Sequence, residues 1–274
     1  MSRLPHTLVV HVGGIGDFLL SCPALAGLAE EGPVTLLGHQ GRLNLAVAGG
    51  IAEQAVSTAA VDFSSAFNEP SRRLAEWLAR FDRAVVWIGD DGTLEEAFHR
   101  CGVREVRCFP GLPPQDWPRH ASEYYLHCLG LGERAVLRLS LPPAEAKQDV
   151  VIHPGSGGAK KNWPLERFEA VAAILKIQGR AVHWCLGPAE AEAGIVVPGP
   201  VLEAGSLVEL GQALAAARLY IGNDSGITHL AAAVGCPTLA VFGPTDPAVW
   251  APRGEHVWVY RDSWEYGARM RSQE

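Results

Sequence analysis

Short apolar runs alternate along the chain with longer stretches whose apolar residues recur at helical spacing. The first run, residues 8–12, is dominated by β-branched residues, which is typical of a strand buried on both faces of a parallel sheet. Later segments predict strands at 34–37, 55–61, 83–88 and 103–108, and helices from Phe18 onward and at 42–48, 71–81, 92–101 and 121–131. This alternation predicts a doubly wound α/β fold.

The pattern restarts after two prolines at 142–143, which are typical of an interdomain linker. The second half predicts strands at 149–153, 181–186, 219–222, 238–242 and 257–260, helices at 164–177, 206–217 and 227–234, and a polar terminal helix at 262–271. We therefore expect two Rossmann-like domains, at 1–140 and 141–260, and a C-terminal helix or tail at 261–274. Such pairs are expected to face a central cleft and to bind ligands there, at the carboxyl ends of the strands.

Composition narrows the function classes. The chain has 274 residues and a formal net charge of −7, with no basic half, so a nucleic-acid partner is not expected. Its six cysteines form no CxxC pair and no metal-ligand spacing, which predicts reduced thiols, no metal site and a cytoplasmic protein. No run of about 20 apolar residues is present, so membrane contact would be peripheral, at the inner face.

The stretch at 220–235, YIGNDSGITHLAAAVG, predicts a buried strand, a tight turn and a helix at 227–234 that Gly235 terminates as the C′ residue. The turn contains Asp224, Ser225 and Gly226, and His229 follows one helical turn later. Free backbone N–H groups at such a helix start suit a phosphate. The alternative is an ordinary helix cap by Asp224 or Ser225.

The first strand runs into a glycine-rich turn that contains Gly13, Gly14, Gly16 and Asp17. As a dinucleotide-binding fingerprint it is poor, because the third glycine and the acidic residue after the second strand are both missing. The turn does place Asp17 beside a helix start, where the helix dipole favours the carboxylate and lets it accept a proton. A simple helix cap is the alternative.

Three further turns follow strands of the second half. The loop at 153–164 contains Ser156 and Lys161, a hydroxyl and a point charge suited to an oxyanion, although a flexible surface turn is the alternative. Glu190 follows another strand and could bind a ribose hydroxyl or lie in the first turn of a solvated helix. The loop at 242–247 could cover a ligand, or Thr245 could belong to an ordinary turn.

Together these segments resemble glycosyltransferase family 9, the ADP-heptose:lipopolysaccharide heptosyltransferases. The resemblance rests on four segments: VVHVGGIGDFLLSCPAL at 9–25, VIHPGSGGAKKNWPLERF at 151–168, LGPAE at 186–190 and YIGNDSGITHLAAAVGCPTLAVFGPTDP at 220–247. The resemblance implies a GT-B fold of two Rossmann-like domains, with the acceptor bound mainly by the first domain and the nucleotide-sugar by the second. It also implies inverting, metal-independent transfer without a cofactor. The implied donor is an ADP-linked sugar such as ADP-heptose, and the implied acceptor is a saccharide or lipid-linked saccharide such as lipopolysaccharide core.

The same resemblance assigns roles to single residues. Asp17 matches the proposed catalytic base of the family's GxGD motif, and Gly13, Gly14 and Gly16 form the acceptor-side loop. Lys161 matches the lysine that contacts the donor diphosphate, beside Ser156 in the same loop. The remaining donor residues are Glu190 on the nucleoside side and the D-[ST]-G-x-x-H motif of Asp224, Ser225, Gly226 and His229.

Two other functions fit parts of the pattern. A non-catalytic nucleotide-sugar-binding protein with a reduced acceptor domain would keep the donor motifs but would not consume the donor. An NAD-linked oxidoreductase would bind its cofactor at the first glycine-rich turn, but this turn matches the dinucleotide-binding fingerprint poorly.

Overall fold

The computed structural model describes residues 3–134, 136–145 and 147–264. The chain divides into two compact units, Met1–Ser140 (unit 1) and Leu141–Glu274 (unit 2). Each unit contains its own parallel sheet and its own hydrophobic core.

Unit 1 is built on a five-stranded sheet. Its strands are β1 (Thr7–His11), β2 (Val34–Gly38), β3 (Gln54–Ser57), β4 (Arg83–Trp87) and β5 (Glu105–Cys108), and its helices are α1 (Ile15–Glu31), α2 (Gln40–Ala48), α3 (Arg72–Leu78), α4 (Thr93–Arg100) and α5 (Ala121–Leu129). The spatial order is β3-β2-β1-β4-β5, and every pairing is parallel. Central β1 is buried along its whole length because strands flank it on both sides and helices cover its faces.

Unit 2 repeats the architecture with a different winding. Its strands are β6 (Gln148–His153), β7 (Val182–Trp184), β8 (Ala217–Asn223), β9 (Thr238–Phe242) and β10 (Val257–Arg261), and its helices are α6 (Leu165–Ile177), α7 (Pro188–Glu192), α8 (Leu207–Ala215), α9 (Gly226–Ala233) and α10 (Pro247–Trp250). The spatial order is β10-β9-β8-β6-β7, again entirely parallel. The predicted fold class, two doubly wound parallel-sheet units, is confirmed.

Local chemistry explains where the helices of unit 2 begin and end. The Ser206 side chain accepts a hydrogen bond from Glu209 N at 3.2 Å and opens α8, and the Glu209 carboxylate accepts one from Gly205 N at 2.8 Å. Helix α9 ends at Ala233, and Gly235, two residues later, has a φ of 82°, a left-handed conformation that glycine adopts without strain.

Three sequence predictions need correction. The predicted strand at 55–61 ends at Ser57, and a 3₁₀ turn over Thr58–Val61 follows because only Val61 of that turn faces the core. The predicted start of the first helix near Phe18 is too late, since α1 begins at Ile15. Of the predicted terminal helix at 262–271, residues 262–264 are not helical and the rest lies outside the described residues.

Within the described part of the chain, no helix is long and apolar enough to cross a membrane.

Candidate functional site

The winding of each sheet indicates where a ligand would bind. In open α/β sheets, ligands bind where neighbouring strands send their following loops in opposite directions. In unit 2 this point lies between β6 and β8, and in unit 1 between β1 and β4. The loop after β6 carries Lys161, the turn after β8 carries Asp224 and Ser225, and the turn after β1 carries Asp17. These four predicted residues therefore lie at the switch points of their own sheets, whereas Glu190 follows the edge strand β7.

Asp224 is the centre of the site in unit 2. It is only 5% exposed, and its Oδ2 accepts a hydrogen bond from Nζ of Lys161 at 2.8 Å. The same oxygen accepts a hydrogen bond from the Thr245 hydroxyl, also at 2.8 Å. Three loops, after β6, β8 and β9, therefore converge on one buried carboxylate. Lysine and helix amides together can hold a phosphate, and Asp224 holds the lysine beside that position.

Ser225 is the N-cap of α9, as the capping alternative states. Its hydroxyl accepts from Thr228 N at 3.3 Å and lies 3.0 Å from the Thr228 hydroxyl, which in turn donates to Asn223 O. One amide of the first turn is thus satisfied by the cap, and the helix start at Gly226 stays tightly fixed. His229, buried one turn further along, lies on the same helix.

The loop after β6 is held by a side chain of the neighbouring strand. Nδ2 of Asn223 donates to Pro154 O at 2.7 Å, and Oδ1 of Asn223 accepts from Trp163 N at 2.9 Å. Ser156 acts inside the loop, because its hydroxyl lies 2.8 Å from Gly158 O and 2.6 Å from Oδ1 of Asn162. The structure therefore gives Ser156 a loop-forming role and does not bring its hydroxyl to Asp224.

Glu190 lies in the first turn of α7, as one sequence alternative states, but it is buried rather than solvated. Its Oε2 accepts from Gly187 N at 2.7 Å. A Cβ placed on Gly155 would lie 2.8 Å from Cγ of Glu190 and closer still to its carboxylate. Glycine at 155 is therefore what allows the β6 loop to reach the Glu190 carboxylate.

Buried groups surround that carboxylate. Nδ1 of His153 lies 2.9 Å from Cys185 O. Burial lowers the pKa of His153, and the nearby Glu190 charge opposes this shift. Burial also raises the pKa of the Cys185 thiol to about 12, with a further contribution from Glu190. The Glu190 carboxylate therefore lies among buried groups whose pKa shifts favour their neutral forms, and its oxygens can accept a hydrogen bond from a ligand hydroxyl.

In unit 1, Asp17 is the third residue of α1 and is partly exposed. Its Oδ2 accepts from Gly14 N at 3.0 Å, so the backbone fixes one oxygen of the carboxylate. A Cβ on Gly14 would lie 3.1 Å from that Oδ2, and a Cβ on Gly13 would lie 3.2 Å from Cβ of Asp17. Gly13 and Gly14 therefore allow the close turn, and Gly16 lies within the first helical turn.

Sequence reasoning missed His11, the last residue of β1. Its ring is buried against Phe18 and Trp87, and neither ring nitrogen has a partner within the described residues. Burial, followed by the charge of Arg42, lowers the pKa of His11 to about 4, so the imidazole is neutral. A histidine at the end of an apolar strand gives no signal of this kind, because the effect depends on distant residues that cover it.

Among the cavities that the described residues form, one in each unit opens at the carboxyl edge of its sheet. In unit 1, a cavity of about 380 Å³ lies at the ends of β1, β2 and β3, and its lining includes His39, Arg42 and Ser57. In unit 2, a cavity of about 620 Å³ lies at the ends of β9 and β10. The described residues contain no group of three or more metal-ligating side chains.

Thr245 gives a first testable prediction. A phosphate must draw Lys161 away from Asp224, and the Thr245 hydroxyl then remains as a hydrogen-bond donor to the buried carboxylate. Losing that hydrogen bond costs about 1 kcal/mol, so Thr245→Val is expected to weaken pyrophosphate binding about fivefold in calorimetry. Thr245→Ser, which keeps the hydroxyl, should restore the wild-type affinity. Equal affinity of the Val and wild-type proteins would refute this role.

Comparison with known proteins adds the following findings. The family model of glycosyltransferase family 9 (heptosyltransferase) matches residues 132–273. Lipopolysaccharide heptosyltransferase 1 of Pseudomonas aeruginosa is 35% identical over 208 residues, which cover 68% of this chain and 56% of that protein. Lipopolysaccharide heptosyltransferase 3 of Escherichia coli is 32% identical over 150 residues, 51% of this chain and 39% of that protein. The matched segments thus span about half the length of these relatives, or less.

The fold is shared with solved structures of this kind. ADP-heptose lps heptosyltransferase II of E. coli superposes with a TM-score of 0.75 at 18% identity, over 93% of this chain and 90% of that one. E. coli heptosyltransferase WaaC with ADP superposes with a TM-score of 0.67 at 20% identity, over 93% of each chain. These likenesses confirm the predicted GT-B fold class.

Proposed function

Because the chain belongs to glycosyltransferase family 9, the heptosyltransferase family, we propose that it transfers a sugar from a nucleotide diphosphate to a saccharide acceptor. Heptose is the proposed sugar and ADP the proposed carrier, in keeping with the relatives named above. The observation that carries the proposal is the Lys161–Asp224 pair at the switch point of unit 2, beside the start of α9.

The donor binds to unit 2 in this proposal. Lys161 turns from Asp224 to the diphosphate, and backbone amides at the start of α9 hold the same phosphate oxygens. The buried Glu190 carboxylate accepts a hydrogen bond from a ribose hydroxyl on the nucleoside side. Asp224, released by Lys161 and still held by Thr245, accepts a hydrogen bond from the transferred sugar.

The chemical step follows from where charge develops. The bond from the anomeric carbon to the diphosphate breaks, and negative charge grows on the leaving phosphate that Lys161 and the helix amides stabilise. The acceptor hydroxyl attacks from the opposite face, so the configuration inverts, and its proton passes to Asp17. With Lys161 as the phosphate's counter-charge, the transfer is proposed to be metal-independent.

The acceptor is proposed to bind to unit 1. The cavity at the ends of β1, β2 and β3 offers Arg42, Ser57 and Thr58 to saccharide hydroxyls and acidic groups. The relatives named above act on lipopolysaccharide, according to their names. A lipopolysaccharide core or another lipid-linked saccharide is therefore the proposed acceptor class, met by peripheral contact at the inner face of the membrane.

A thermal-shift screen of ADP, UDP and GDP, each with its sugar derivatives, tests the donor half of this proposal. ADP and ADP-heptose are expected to raise the melting temperature most. Lys161→Ala should weaken ADP binding about tenfold or more, because a charge-assisted hydrogen bond is lost. Lys160→Ala removes the same charge one residue away and is the matched control, expected to leave ADP affinity unchanged.

Consumption of ADP-heptose in the presence of a lipopolysaccharide-core acceptor tests the activity itself. A chain that binds ADP-heptose but never consumes it over a broad acceptor panel would instead be a nucleotide-sugar-binding protein. Binding of NADH with no response to nucleoside diphosphates would refute the proposal in favour of an oxidoreductase.

A further inference from the structure

The cavity at the ends of β9 and β10 in unit 2 is not lined by the residues to which the donor is proposed to bind. It has a volume of about 620 Å³, and its lining includes Lys160, Gly243, Arg261, Asp262 and Trp264. None of Lys161, Glu190, Asp224 and Ser225 lines it. Its size falls in the range of small-molecule sites, roughly 300–1,000 Å³.

The charges of this cavity are unbalanced. The negative charge of Asp262 is balanced by Arg167, with which its Oδ2 forms an ion pair. The same oxygen accepts a hydrogen bond from Nε1 of Trp163 at 2.9 Å. The Trp163 hydrogen bond is the first cause that holds the pKa of Asp262 below its usual value. By contrast, Lys160 and Arg261 form no ion pair or side-chain hydrogen bond within the ranges that the structure describes. Two positive charges are therefore left to a ligand, in a protein with a net charge of −7.

One wall of the cavity is aromatic and tightly placed. The indole of Trp264 lies directly against Gly243, where a Cβ would come within 2.5 Å of Cζ2 and closer to the ring's end. A side chain at 243 would therefore displace the indole. The Trp264 indole lines the cavity beside Gly243 and supplies aromatic surface against which a sugar ring can pack.

The order of the strands in the sheet of unit 2 indicates which part of the bound donor lies nearest this cavity. The strands lie in the order β7-β6-β8-β9-β10, with Glu190 after β7, Lys161 after β6 and Ser225 after β8. A nucleotide with its nucleoside at Glu190 and its diphosphate at Lys161 and Ser225 runs toward β9 and β10. The cavity at the ends of β9 and β10 therefore lies on the sugar side of the diphosphate.

We propose that this cavity binds an acidic group, carboxylate or phosphate, of the saccharide acceptor, with Lys160 and Arg261 as its charge partners and Trp264 as the surface against which a sugar ring packs. The inference rests on the proposed transferase function and adds a second acceptor contact in unit 2. An arginine can pair with two oxygens of one acidic group, and a lysine supplies a point charge beside it.

The test uses the full chain saturated with ADP, so that the donor site is occupied. Binding of glucose 6-phosphate, glucuronate and glucose is measured by ligand-observed NMR. The two acidic sugars are expected to bind and glucose to bind far more weakly. The double variant Lys160→Ala/Arg261→Ala should lose about tenfold or more of the affinity for both acidic sugars, with ADP affinity unchanged.

Two matched variants isolate the cause. Lys147→Ala/Arg218→Ala removes the same charge from exposed positions elsewhere in the second half of the chain and should not change binding of the acidic sugars. Trp264→Ala should weaken glucose 6-phosphate but not inorganic phosphate, since only the former has a ring to pack.

Several results would overturn the proposal. These are unchanged acidic-sugar binding in the double variant, equal binding of glucose, or a parallel loss of ADP affinity, which would assign the cavity to the donor. A wild-type chain that does not bind ADP would refute the proposed function instead, and the acidic sugars would then be tested on the free chain with the same criteria.

Discussion

Asp17→Asn is expected to lower kcat for sugar transfer by about 10²–10⁴-fold while ADP affinity stays unchanged. The amide is the same size as the carboxylate, and its oxygen can still accept the hydrogen bond that Gly14 N donates to Oδ2. The turn and the start of α1 are therefore kept, and only the ability to accept a proton is lost. Single-turnover kinetics with a saturating donor would separate this effect from binding.

A matched control exists in the same unit. Asp91 also accepts hydrogen bonds next to a helix start, from the amide and hydroxyl of Thr93, yet it lies in an exposed loop. Asp91→Asn should leave kcat unchanged. If Asp17→Asn kept wild-type kcat, Asp17 would not be the general base, whatever the fate of the donor site.

Gly155→Ala is expected to weaken ADP binding about 10–100-fold, the effect of losing a hydrogen bond to a charged group. The new methyl group would occupy the space of the Glu190 side chain, with Cγ only 2.8 Å away and the carboxylate closer. Glu190 is buried and held by Gly187 N, so it cannot move aside without breaking that bond. Calorimetry with ADP and with inorganic pyrophosphate measures the effect, and only ADP affinity should fall, because pyrophosphate has no ribose.

Gly157→Ala is the control for backbone changes in this loop, since a Cβ there would meet no atom within 4 Å. It should bind ADP like the wild type. If Gly155→Ala bound ADP as tightly as both Gly157→Ala and the wild type, the Glu190 carboxylate would make no contact with the nucleotide. A similar loss in both variants would instead assign the effect to loop flexibility.

The fold could be predicted from the sequence because strand and helix signals are local. All ten predicted strands are found among the described residues, most within two residues of their expected ends. The error at 58–61 arises because an apolar run of four to seven residues does not distinguish a strand from a 3₁₀ turn. Which strands are neighbours, and therefore where the switch points lie, depends on long-range pairing that no local pattern encodes.

The sequence predicts which residues belong to the site, but it does not predict the contacts among them. Turns after strands identify Asp17, Lys161 and Asp224, but the convergence of Lys161 and Thr245 on Asp224 joins residues 84 positions apart. The contact between Gly155 and Glu190 is likewise invisible along the chain. His11 shows the same limit, since its neutral ring results from burial by residues of other elements.

The two sheets differ in how the chain is threaded, with β1 central in one and β8 central in the other. β1 is the first strand of its unit and β8 the third, yet each is followed by the aspartate-bearing turn, at Asp17 and at Asp224. A search for internal duplication that preserves chain order would therefore pair the wrong turns. Only a permuted superposition, with the first strand of one half laid on the third of the other, would bring the two aspartates into register.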